Sequence, residues 1–240
     1  FGNPTFASKV LEYLTQLQNV DISLVVTNPD KPMGRGLIST QTAVKCISNK
    51  YSCEIYEVEN LNHISVYNKL KKQNADLFIV IAYQILPKNI YTIPKYGTIN
   101  LHASLLPQYR GASPIQYTLL NGDLISGLTT FYINNKIDQG DIIYQRKINI
   151  NDRITYNGLY DKLSLLGGPV IAKTLMIIEK NITYNASQIY KQYQPSLAPK
   201  INKNDFKINL NNSAYEIHNK IRALSYKGAY AIYKNKKIKF

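Results

Sequence analysis

The chain has 240 residues, 45% hydrophobic and 18% charged, a composition that excludes a disordered segment and allows a sizeable buried core. Its net charge of +14, from 29 Lys and Arg against 15 Asp and Glu, makes nucleic acid a natural partner. Heavy use of Lys, Asn, Ile and Tyr without Trp would also follow from an AT-rich gene, in which case many lysines simply solvate the surface. The two cysteines, Cys46 and Cys53, argue against a disulfide scaffold or a cysteine-based zinc site and read as reduced thiols. No apolar run reaches the roughly 18–20 residues of a membrane span. No signal peptide is visible, although a chain that begins at Phe1 leaves room for an upstream segment.

Phe1-Gly2-Asn3-Pro4 reads as the turn after a strand that lies upstream, and a helix is predicted from about Thr5 to Leu17. Ile22–Thr27 and Asp76–Ile81 are near-continuous apolar runs, the pattern of strands buried on both faces. Between them, 41–48 and 64–73 suit helices. Two further strands are expected at 127–133 and 142–150, around a turn holding Asp138 and Gly140. Residues 156–179 predict a long helix, broken or bent near Gly167-Gly168-Pro169. A polar stretch at 181–204, with breakers at Pro195 and Pro199, reads as a linker. Beyond it, 213–224 is amphipathic, with Ala214, Ile217, Ile221 and Leu224 on one face, and 229–240 alternates like strands. The expected domains are therefore 1–180, the linker 181–204, and the beginning of a second domain over 205–240.

Asn100 and His102 lie two apart at a strand end, so their side chains point the same way. With Asp138 from a separate turn they make a set suited to acyl transfer to an amine. The amide can hydrogen-bond an oxyanion, the imidazole can stabilise it or move a proton, and the carboxylate can orient the imidazole. The same residues also fit a loop cap, a satisfied strand-end histidine and an ordinary Asp-x-Gly turn. Asn28–Gly36 is a breaker-rich loop with two cations, Lys31 and Arg35; it lacks the Walker spacing of a phosphate loop and fits either a groove-entering arginine or an exposed loop. His63 and His218 have no acid or thiol pattern nearby and carry no assignment.

The stretches FGNPTFA, TNPDKPMGRG, IAYQILPKNI, INLHASLLPQYRGASPIQ, NGDLISGLTT, IDQGDII, LYDKLSLLG, LAPKINKNDFKINL and EIHNKIRALSYKGAY occur in one order over nearly the whole chain. In them the chain resembles the methionyl-tRNA formyltransferase family, within the larger group of enzymes that transfer formyl from 10-formyltetrahydrofolate. HASLLPQYRGASPIQ with the later DQGD is the specific part. The resemblance implies an α/β fold: a Rossmann-like, mostly parallel sheet with helices on both faces, then a linker and the start of a small C-terminal β-barrel that supports tRNA. It further implies that Asn100, His102 and Asp138 are catalytic. Tyr83, Gln84, Ile85, Leu86 and Pro87, with Gly140, Asp141 and Ile142, would line the pterin pocket, largely through backbone groups. Ser104, Leu105, Leu106 and Pro107 would shape the folate entrance, Arg110 the acceptor entrance, and Arg35 and Lys31 would meet the tRNA acceptor end. AYQILP is one residue shorter than the family's usual AYGxILP, and Ser225-Tyr226-Lys227 stands where the family is rich in proline and tryptophan.

The expected function is transfer of formyl from 10-formyltetrahydrofolate to the amino group of initiator methionyl-tRNA, by a monomer that needs no metal. The compartment would be the bacterial cytosol or a translating organelle. Formylation of a small amine, such as an amino sugar nucleotide or a glycinamide ribonucleotide, would not require the Arg35 loop. A non-catalytic RNA-binding relative would keep the basic balance but not need the Asn–His–Asp set.

Overall fold

The structure is a computed structural model that describes residues 1–33, 38–180 and 194–240, with nothing stated of the side chains of Met33 and Ile38. The chain divides into two compact units. The first takes Phe1–Leu101, Thr130–Tyr144 and the stretch from Ser164; the second takes His102–Thr129, Gln145–Leu163 and the C-terminal stretch to Phe240.

In the first unit, α1 (Thr5–Leu14) buries Phe6, Ala7, Val10 and Leu14, the apolar face of an amphipathic helix. It ends before the expected Leu17 because the amides of Gln16 and Leu17 turn back to Tyr13 and Leu14, tightening the chain out of the α-helix. β1 (Val25–Thr27) is buried throughout and pairs in parallel with β4 (Ile55–Glu57). A short antiparallel hairpin, β2 (Lys31–Met33) and β3 (Ile38–Thr40), and α2 (Ala43–Lys50) lie between them in sequence. The Phe1 nitrogen donates to the Ile79 carbonyl (2.8 Å) and the Gly2 amide to that of Val26 (3.1 Å), so these two residues knit β1 to β5 (Phe78–Val80). β5 pairs in parallel with β6 (Thr98–His102), Val80 opposite Asn100. On one face, Val26, Phe78 and Val80 pack with Val66 and Leu70 of α3 (Ile64–Lys72) and Ile90 of α4 (Lys88–Tyr91). On the other face, Leu101 meets Gly167 of α6 (Tyr156–Glu179), where a Cβ would stand 3.1 Å from the leucine and 2.6 Å from Val10 of α1. Helices thus cover both faces of the α/β sheet. α6 runs without a break through Gly167-Gly168-Pro169. The expected interruption does not occur because Pro169 is solvent-exposed, where water can serve the carbonyl that loses its partner.

β6 continues into a four-stranded sheet of order β5-β6-β7-β8, with β7 at Ile125–Tyr132 and β8 at Ile142–Asn149. In the second unit, α5 (Pro114–Leu120) packs against α7 (Ala214–Ala223), which opens with a reciprocal Ser213–Glu216 cap. The expected apolar face of α7 is buried only towards its end: Leu224 is fully buried, Ile217 and Ile221 are half-buried and Ala214 is exposed, while the polar Asn219 and Arg222 are buried along with Ala223. Arg222 donates to Asn219 Oδ1 (2.9 Å) and to the carbonyls of Leu119, Asn151 and Ile154 (3.4 Å each). A buried guanidinium answering orphan carbonyls is invisible to a hydrophobic pattern. Of the expected linker, 181–193 lie outside the described residues. The remainder is tied down: the Arg110 amide donates to Ser196 and the Ala198 amide to Arg110, and Ala198 is fully buried. β9 (Tyr230–Tyr233) and β10 (Lys236–Lys239) form an antiparallel hairpin whose turn residues Lys234 and Asn235 both have positive φ (46° and 61°). This hairpin and a bridge from Lys207 to Tyr230 stand, among the described residues, where the beginning of a barrel was expected; two strands do not close one. No described helix is long and apolar enough to cross a membrane.

Candidate active site

β6 is the element that carries the two central residues. Its register puts Thr98 and Asn100 on the side of Phe78 and Val80, with Ile99 and Leu101 opposite, and His102 follows Asn100 on the same side. Asn100 is half-buried and His102 is 7% exposed. The His102 ring is fixed, with Nε2 2.8 Å from the carbonyl oxygen of Tyr109.

The loop after His102 is satisfied from within its own unit. Thr129 Oγ1 donates to the Ser104 carbonyl (2.7 Å) and accepts from the Leu106 amide (3.0 Å) and from Gln145 Nε2 (2.8 Å). Gln145 Nε2 also reaches the Leu106 carbonyl (2.8 Å), and Ser104 Oγ donates to that of Gln108 (2.6 Å). Ser104, Leu105, Leu106 and Pro107 are buried, so their side chains build the loop. Tyr109 has φ +60° and a buried ring; its hydroxyl donates to Asp123 (2.5 Å) and accepts from Asn121 (2.9 Å), and its amide donates to Ser196 Oγ (2.9 Å). Burial pushes the Tyr109 hydroxyl and the Asp123 carboxyl above their ordinary values. The sequence reading missed Thr129, Gln145, Asp123 and Ser196. A polar Thr129 inside the apolar run GLTTFY was the one visible signal.

Asp138 is half-buried in the turn between β7 and β8, with φ +53°. Gly140 is buried in the same turn, and a Cβ there would run into the Tyr132 carbonyl. The Tyr132 amide closes the turn onto Asp141 (2.9 Å); Asp141 is exposed and Ile142 is 2% exposed. In the other expected pterin segment, Leu86 is spent in the core with Ile90. Tyr83 is half-buried, and burial pushes its hydroxyl up to about 12. Pro87 caps α4. Ile85 stands 76% exposed, a large apolar side chain in contact with solvent. Gln84 is exposed and donates to Asn28 Oδ1 (2.9 Å), joining this turn to the start of the Lys31 loop. Lys31 is exposed and Arg110 half-buried; Arg35 lies outside the described residues. A cavity of about 730 Å³ in the first unit, lined by Phe1, Leu14, Leu24 and Phe78 among others, contains none of the candidate residues. Among the described residues no group of His, Cys, Asp and Glu is placed to hold a metal ion.

Residues 1–175 match the formyl transferase family, and residues 200–240 match the formyl transferase C-terminal domain. The chain is 41% identical over 241 residues to the methionyl-tRNA formyltransferase of Thermodesulfovibrio yellowstonii, covering 100% of this chain and 77% of the relative. It is 38% identical to that of Halothermothrix orenii, over 99% of this chain and 75% of the relative. Among solved structures, it is similar to WlaRD, a sugar 3N-formyl transferase crystallised with dTDP and 5-N-formyl-THF. The TM-score is 0.67 at 25% identity, covering 99% of this chain and 83% of that one. The phosphoribosylglycinamide formyltransferase of Anaplasma phagocytophilum shares the fold, with TM-score 0.62 at 24% identity over 72% of this chain and 83% of that one.

Proposed function

The chain belongs to the formyl transferase family, and from that premise we propose that it transfers the formyl group of 10-formyltetrahydrofolate to the amino group of initiator methionyl-tRNA. The reading is carried by the pairing of Asn100 and His102 on one side of β6 in a chain similar along its length to methionyl-tRNA formyltransferases.

The folate co-substrate supplies an electrophilic carbonyl carbon on a nitrogen that leaves once protonated. The neutral amine of the aminoacyl-tRNA attacks that carbon; the amine loses a proton, the carbon–nitrogen bond to the folate breaks, and the folate nitrogen gains a proton. Asn100 donates its amide hydrogens to the oxygen that becomes negative, a preorganised dipole aimed at developing charge. His102 shares that charge and relays the proton, and Asp138 favours its cationic form. The exposed Ile85 and the backbones of Tyr83–Pro87 and Asp138–Ile142 fit a flat, partly apolar pterin. Lys31, Arg35 and Arg110 meet acceptor phosphates. We read the enzyme as a monomer that works wherever initiation uses formylated methionine, in a bacterial cytosol or a translating organelle.

The test is formyl transfer to charged initiator tRNA beside small amine acceptors. We expect His102→Ala and Asp138→Asn each to lower kcat by about 10²–10⁴, the usual worth of a positioned acid–base group. Near-normal turnover in both would overturn the assignment. Preference for a small amine would move the function to the sugar or nucleotide branch of the family.

A further inference from the structure

Tyr109 has no place in the proposed chemistry, yet its ring, hydroxyl, amide and carbonyl are all held by neighbouring groups. Its φ of +60° lies in the left-handed region that a bulky side chain rarely adopts unless its surroundings impose it. The imposing groups are visible. The ring is buried, the hydroxyl is clamped between Asp123 (2.5 Å) and Asn121 (2.9 Å), and the amide is held by Ser196 Oγ (2.9 Å). What this conformation delivers is a carbonyl oxygen 2.8 Å from His102 Nε2. A carbonyl can only accept, so the nitrogen facing it must carry a hydrogen.

We infer that Tyr109 is a positioning residue: its carbonyl, anchored through its own side chain, locks His102 as the Nε2–H tautomer and leaves Nδ1 as the nitrogen that exchanges protons. The inference rests on the reading of His102 as the acid–base group. It deepens that reading by assigning the working nitrogen. Orienting hydrogen bonds of this kind set which ring nitrogen is available, and a misplaced acid–base group loses much of its effect.

The test uses the full chain labelled with ¹⁵N-histidine, with His102→Ala identifying the His102 signals among those of His63 and His218. At a pH where the ring is neutral, couplings from the ring nitrogens to the carbon-bound protons should report mainly Nε2–H. A dominant Nδ1–H form would overturn the inference. In Tyr109→Phe, which keeps the ring but loses the anchor, the tautomer signature should become mixed. In the same variant kcat should fall about tenfold to a hundredfold, with KM for both substrates within about twofold. Asp123→Asn, which still offers an oxygen to the tyrosine, should keep more turnover and a purer tautomer than Asp123→Leu. An unchanged signature and unchanged kcat in both Tyr109→Phe and Asp123→Leu would remove Tyr109 from the role. The two readings fail separately. Full activity in His102→Ala would end the acid–base assignment while leaving the tautomer intact. A dead His102→Ala with an Nδ1–H ring would end only the positioning role.

Discussion

In the proposed reaction, the choice of an amide over a carboxylate at Asn100 decides the sign of the field at the reacting oxygen. Asn100→Asp changes almost no volume at a half-buried strand position, so the fold should survive. The substitution replaces a donor with a negative charge facing a developing oxyanion, and losing one such donor alone typically costs about 10²–10³ in kcat. We expect at least that loss, with melting temperature little changed; steady-state kinetics beside a thermal melt checks both. Gly140 tests the opposite turn. A methyl there would collide with the Tyr132 carbonyl, so Gly140→Ala must shift the backbone that carries Asp138. Turnover should fall at least about tenfold while the global fold persists, because misplacement of a catalytic group by about 1 Å is enough. The motif made His102 legible as a candidate. The role proposed for Tyr109 was not legible, because it rests on a backbone carbonyl and a positive φ that the letter Y does not announce.

Elements show where pattern reading succeeds and where it misses. α1, α2, α3, β7 and β8 stand close to where their apolar periodicity puts them, since each buries one stripe or one run against the core. Gly167-Gly168-Pro169 misled because glycine and proline read as a stop, whereas here the glycines admit α1. A Cβ at Gly168 would enter the Tyr13 ring and one at Gly167 would stand 2.6 Å from Val10. Gly168→Ala therefore sets about 1 kcal/mol of helix propensity gained against roughly 1–3 kcal/mol of overpacking. Overpacking should win, lowering the denaturant midpoint; a raised midpoint would show that the helices do not pack there. α7 offers a pH test. Its cap holds the Glu216 carboxyl below its ordinary value through the Ser213 amide and hydroxyl. A depressed carboxyl stabilises above its unfolded value, and that contribution is lost as pH falls through the folded one. Ser213→Ala should cost about 1 kcal/mol near neutrality. The gap from the parent should narrow in acid below the ordinary glutamate range, where Glu216 is protonated in both.

For the whole molecule, the α/β class was legible because buried parallel strands write continuous apolar runs, and the C-terminal strands were legible from their alternation, although alternation alone does not tell a hairpin from a begun barrel. Charge is the other property that belongs to the chain as a whole. A net +14 is ambiguous in composition, since lysines left by gene bias and lysines that meet phosphates look alike. Salt separates them. Cations that neutralise phosphates release counterions, so affinity for tRNA falls steeply and linearly on a log–log scale, with a slope near 0.7–0.9 per contact. With Lys31, Arg35 and Arg110 all engaged, a threefold rise in salt should raise KM for charged tRNA by roughly tenfold, while kcat and KM for the folate move far less. Replacing Arg35 by Ala should reduce that slope by about one contact and weaken all tRNA acceptors alike. Equal salt sensitivity for both substrates, or a slope untouched by Arg35→Ala, would mean that the positive charge of this chain is solvation and that the acceptor is held by something other than its phosphates.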